Sequence, residues 1–159
     1  MTNEIIHKDI HKKLAIFYFN KVWDLLDQAE KSPFEMDSMI HMAHTSRFHW
    51  GLVGTPVNLS RGEWQISRVY ATLNRYEPAL FHAKRNLEIC LENNIVDFDL
   101  AFAYEALARA YSISGNEEEM LKNKQLALKA SQAIEKEEDR KLLLSDLDTI
   151  SLKKELQSL

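Results

Sequence analysis

The chain has 159 residues, with 24 acidic against 20 basic side chains, a formal net charge of −4, and 45% apolar residues. That length fits one domain with a sizeable core, spanning residues 1–159, and the well-mixed charge, without a basic stripe, excludes a surface built for nucleic-acid backbone. One cysteine excludes an internal disulfide framework, and the charged N-terminus "MTNEIIHKDIHKK", with no run near ~18 apolar residues, predicts a cytoplasmic protein that does not enter the membrane.

Four glycines, three prolines and apolar residues recurring every three or four positions predict an all-α fold of about seven helices. The first is expected from about Asn3 to Lys31. Its apolar set includes Phe17, Tyr18, Phe19, Val22 and Leu26, with Trp23 just beyond, and is wider than one neighbouring hairpin covers. Such a face must be covered by the C-terminal helix or by a second copy of the chain, and the second option predicts a homodimer.

"SPFE" opens the second helix, with Ser32 as cap, Pro33 at the first helical position and Glu35 closing a capping box. This helix carries "MIHMAHTSRFHW", residues 39–50, with three histidines. Its core stripe is read as Met36, Met39, Ile40, Ala43 and Trp50, which leaves His41, His44 and His49 outside. His41 and His44 share a face, but His49 lies ~12 Å along the axis from His41, so one metal cannot take all three. A site made of His41 and His44 with Glu63 is the alternative, and His82 and Glu105 join only if the fold brings them close. Otherwise the histidines are solvated or locally hydrogen-bonded, and no cofactor is expected.

"GLVGTPVN" is predicted to be the linker that ends an N-terminal helical hairpin over residues 1–52. Ser60 and Glu63 in "SRGE" are expected to cap the third helix, which ends near Asn74; Glu77 and Pro78 start a fourth that runs to about Asn93. Cys90 continues the apolar series Leu80, Ala83, Leu87 and reads as a core filler. Asp97 is expected to cap the fifth helix, which stops at Gly115, and Asn116 with Glu119 opens the sixth. "EKEED" breaks it, and a C-terminal helix follows over residues 138–159.

Sliding the chain by 41 residues lays Leu59 on Leu100, Ile66 on Leu107, Arg68 on Arg109, Tyr70 on Tyr111 and Leu80 on Leu121. Two helical hairpins of one design therefore follow each other over residues 58–135. The residues Ile66-Ser67…Tyr70…Tyr76-Glu77-Pro78-Ala79 and Leu107-Ala108…Tyr111…Gly115-Asn116, with Ala127 on the later helix, resemble the tetratricopeptide repeat family. Asn86 departs from the pattern, Glu63 stands where the family has a large apolar residue, and the offset exceeds the usual ~34. The whole chain also resembles bacterial helical-repeat proteins, which implies no activity. The resemblance implies a non-enzymatic scaffold that binds a protein or peptide in a concave groove, with the last helix as the terminal cap.

If Tyr70 and Tyr111 face the hairpin interior, Arg68 and Arg109 point ~200° away, onto the inner surface. Trp64 and Glu105 lie four residues before them on the same faces. Two readings stand. Trp64, Arg68, Glu105 and Arg109 form a groove that clamps an acidic peptide, or Glu105 neutralises the arginines as a structural ion pair, with Trp64 stacked on Arg68.

Overall fold

The computed structural model describes residues 6–152, in which seven α-helices and no strand occur. They are α1 (Lys8–Leu26), α2 (Pro33–Val53), α3 (Pro56–Thr72), α4 (Tyr76–Glu92), α5 (Phe98–Ser114), α6 (Glu117–Ser131) and α7 (Glu137–Asp148). The chain is all-α, as its periodicity predicts.

Each predicted stop has a local cause, and several differ from expectation. Ser32 accepts from the Glu35 amide at 3.2 Å and Glu35 returns the bond to the Ser32 amide at 2.8 Å, so α2 starts where the capping box places it. α2 then runs through Gly51 to Val53, and the linker shrinks to Gly54 and Thr55. One glycine in a continuous helical pattern costs only ~1 kcal/mol and does not end a helix. Pro56 at the first helical position sets the next start, with the Thr55 amide bonded to Asn58 Oδ1 at 2.9 Å. Ser60 and Glu63 are therefore buried mid-helix residues and not a cap. Asp97 precedes α5 as expected, yet its side chain does not cap, because its backbone is left-handed at φ 64. Gly115 ends α5 at φ 79, the conformation that favours glycine. α7 begins inside "EKEED", where Glu137, Glu138 and Asp139 suit a helix N-terminus, and ends at Asp148. Residues 1–5 and 153–159, into which the first and last helices were expected to extend, lie outside the described residues; Ile6, His7, Ser151 and Leu152 are not helical.

Consecutive helices pack as antiparallel hairpins, α1 with α2, α3 with α4 and α5 with α6, stacked in that order. A first apolar cluster joins Val22 of α1, Met39 and Ala43 of α2, and Ile66 and Val69 of α3. A second runs from Trp64 and Ala83 through Phe102, Leu107, Met120 and Ala127 to Leu143 and Leu147 of α7. The stripe of α2 that enters the core is Met39, Ala43 and Ser46, whereas Met36 is exposed. Ser46 is tolerated there because its hydroxyl donates to the Ala15 carbonyl at 2.7 Å.

α7 packs on α5 and α6. It therefore caps the last hairpin, and among the described residues the outer face of α1 leaves Ile10, Ile16 and Phe17 exposed. No helix among the described residues is long and apolar enough to cross a membrane.

Candidate functional site

α3 and α5 carry the four residues singled out on the repeat, and the stack brings them into one cluster. The indole of Trp64 donates to Glu105 Oε2 at 3.2 Å, across the full 41-residue repeat offset. Glu105 Oε1 accepts from Arg68 at 3.2 Å and from Arg109 at 2.8 Å. The Arg68 guanidinium also lies 5.0 Å from the Trp64 ring centroid. Glu105 is fully buried, so its charge is tolerable only because two guanidinium groups and an indole surround it.

α7 adds what the sequence did not suggest. Asp146 accepts from Arg68 at 2.8 Å, while the Asp146 carbonyl and the Thr149 hydroxyl take Arg109 at 3.0 and 2.9 Å. Burial pushes the Asp146 carboxyl up, Arg68 pulls it back, and neighbouring Glu105 pushes it up again; the net direction is upward. Two carboxylates thus face two arginines in one network. Of the two readings of this cluster, the bonds between Glu105, Asp146 and the two arginines are those of the structural ion pair, with Arg68 Nε buried and left without a partner among the described residues.

A second buried glutamate sits one layer earlier. Arg47 of α2 lies across Gly62, where an added Cβ would meet its Cδ at 2.7 Å, and reaches Glu63 Oε1 at 2.9 Å. His82 Nδ1 of α4 meets Glu63 Oε2 at 2.6 Å. Burial would raise the Glu63 carboxyl, but the hydrogen bond and charge of His82, with Arg47, outweigh it and hold it below the usual range. This explains why a glutamate can stand at a position that a large apolar residue would otherwise fill.

The histidine stretch is divided among three environments. His41 is exposed; His44 Nε2 is 3.0 Å from the Tyr70 hydroxyl; and His49 pairs with His11 of α1 at 2.8 Å. His44 also packs edge-on to His82, with ring centroids 5.3 Å apart. Burial first, then the charge of His82, lowers the His44 pKa. The residues of the metal alternative are not brought together: His41 faces solvent, His44 turns to Tyr70, and Glu63 is held by Arg47 and His82. No group of three or more His, Cys, Asp or Glu side chains among the described residues could hold a metal ion. Cys90 is buried beside Ser60 and Asn86, and burial pushes its thiol up, as suits a core position and not a nucleophile.

A cavity of about 700 Å³ lies between α1 and α7 with α3 and α5 as its floor. Its apolar surface comes from Phe19, Trp23 and Leu26 on one wall, Trp64, Phe98 and Phe102 below, and Leu142 opposite. Trp23 stacks on Trp64 at 5.5 Å, and Phe102 meets Trp64 edge-on at 5.8 Å, so the aromatic floor is continuous. Trp64 and Arg68 line this cavity; Arg109 lines a smaller cleft of about 270 Å³ behind it, and Glu105 lies beneath both. The wall contributed by α1 and the pairing partner Asp146 escaped sequence reasoning. The hint in the sequence is the wide aromatic face of the first helix, which requires cover from the C-terminal helix or from a second copy of the chain. Comparison with protein-family models, curated proteins and solved structures finds no match to this chain.

Proposed function

We propose that this protein is a non-enzymatic, tetratricopeptide-like scaffold that holds a segment of a partner protein in the groove between α1 and α7. The observation that carries this reading is the groove itself. Its volume falls in the range of ligand sites, roughly 300–1,000 Å³, and its floor is built of stacked aromatic rings with polar groups at the edges. The charged side chains below that floor neutralise one another, which suits a rigid platform and not a reaction centre.

Affinity capture from the source cell with two exposed-leucine variants tests it. Leu142→Arg fills the groove wall, whereas Leu128→Arg changes the outer face of α6; Leu142 and Leu128 are 52% and 44% exposed, so both variants keep the core. The expected result is a partner retained by wild type and by Leu128→Arg and lost with Leu142→Arg. Equal recovery with both variants overturns the groove as the binding site.

The bare face of α1 supports self-association as a second reading. It predicts twice the chain mass in light scattering at micromolar concentration. A mass near 18.5 kDa removes the homodimer.

A further inference from the structure

One of the two readings of the recurring arginines on the inner surface is a clamp for an acidic ligand. The charges that line the groove argue for the opposite sign. Four aspartates border it, Asp27 at the C-terminal cap of α1, Asp99 on α5, and Asp139 and Asp146 on α7, against two arginines, Arg61 and Arg68. Both arginines are already engaged. Arg61 makes a two-point contact with Asp99 at 2.8 and 3.2 Å, and Arg68 is shared between Glu105 and Asp146. What remains is Asp27 on one wall, exposed and without an ion pair among the described residues, and Asp139 on the other, near Arg61.

Resting on the groove reading above, we infer that the occupant is a short apolar segment of a partner protein carrying lysine or arginine beside its apolar side chains. The apolar residues lie on Trp23, Trp64 and Phe102, and the basic groups reach Asp27 and Asp139 across the two walls. From Ser60 to Thr72 the α3 floor is ~18 Å long, which matches about five residues of extended chain. An acidic segment adds to a lining of four aspartates against two arginines, whose guanidinium groups already hold carboxylates apart from the buried Arg68 Nε. A basic one supplies the cation that the groove lacks, and long basic side chains also lay their methylene stems on aromatic surface.

Selection from a display library of randomised pentapeptides on the intact protein tests this, with the Asp27→Asn/Asp139→Asn double variant selected in parallel. Both substitutions lie at the groove edge outside the apolar clusters, and circular dichroism verifies that the variant stays folded. On wild type, Lys or Arg beside aromatic or aliphatic residues is expected to be enriched. On the double variant the apolar enrichment persists while the basic preference falls, and a selected peptide binds about tenfold more weakly at low salt. Enrichment of Asp or Glu, or a basic preference unchanged in the double variant, overturns the inference while leaving the groove in place. No enrichment of any sequence, or enrichment that survives Leu142→Arg, overturns the groove reading and this inference with it.

Discussion

Glu105→Ala is expected to destabilise the protein by about 4 kcal/mol, and to lower its thermal midpoint by roughly 8–16 °C for a chain of this size. The carboxylate is fully buried and receives Trp64, Arg68 and Arg109. Removing it leaves two guanidinium groups, each less than one fifth exposed, with only Asp146 as counter-charge. A buried pair broken on one side costs ~3–5 kcal/mol because the surviving charge stays desolvated, and the lost side chain adds a cavity under α7. Glu105→Gln keeps the shape but offers one oxygen and no charge to three donors, so most of the loss remains. Arg109→Ala combined with Glu105→Ala should cost less than the sum of the two single changes, since both remove the same contact. Chemical denaturation of the four proteins measures this. A Glu105→Ala loss below about 1 kcal/mol would mean that the network contributes little to holding α3, α5 and α7 together.

Acidification is expected to destabilise the protein in two stages, both arising where α2 packs on α3 and α4. His44 has a folded pKa below its free value of 6.5, through burial and the nearby charge of His82, with Glu63 opposing and His41 adding. The unfolded chain therefore takes up that proton first, and stability declines from pH 6.5 down to the folded pKa. Glu63, held below 4.5 by His82 and Arg47, contributes stability above that value and loses it as pH falls through its folded pKa. Asp146 has the opposite sign. Its folded pKa lies above 3.8, so its protonation on the way down to that value favours the fold and offsets part of the Glu63 loss. Denaturant midpoints between pH 8 and pH 3 follow these steps. His44→Gln should flatten the upper one in part, since His49, lowered by burial and by His11, contributes over the same range. Glu63→Ala should flatten the lower one while costing about 3 kcal/mol at pH 7. His41→Ala, on the exposed face, removes only the smallest of the charges that lower the His44 pKa and should shift the upper step slightly. An unaltered upper step in His44→Gln would place that titration elsewhere.

Both predictions depend on residues that were visible in the sequence but whose partners were not. Glu63 reads in the sequence as a departure from the repeat pattern, and nothing in the sequence marks Gly62 beside it. The glycine is needed because Arg47 crosses it to reach Glu63. His44 was placed outside the core stripe, which holds for its helix taken alone. In the stack it fills the seam between Tyr70 and His82. The reading of Trp64, Arg68, Glu105 and Arg109 as neighbours held because all four follow from helix geometry and one repeat offset. Whether they were open to a ligand depended on α7, which no repeat partner predicts.

The sequence by itself determined the helical class, the order of the seven helices, most of their ends and the 41-residue repeat. These depend on apolar spacing, caps, prolines and a left-handed glycine, which act within a few residues of themselves. Tertiary structure alone decided that Arg68 meets Asp146 across 78 residues, that α1 forms one wall of the groove, and that Asp27 and Asp139 face a shared cavity. The physical reason is range. A helix declares which of its faces is apolar, but the partner of a charge on its edge is set by the rotation and crossing of helices far along the chain, and two surfaces of equal apolar width can be covered by different neighbours.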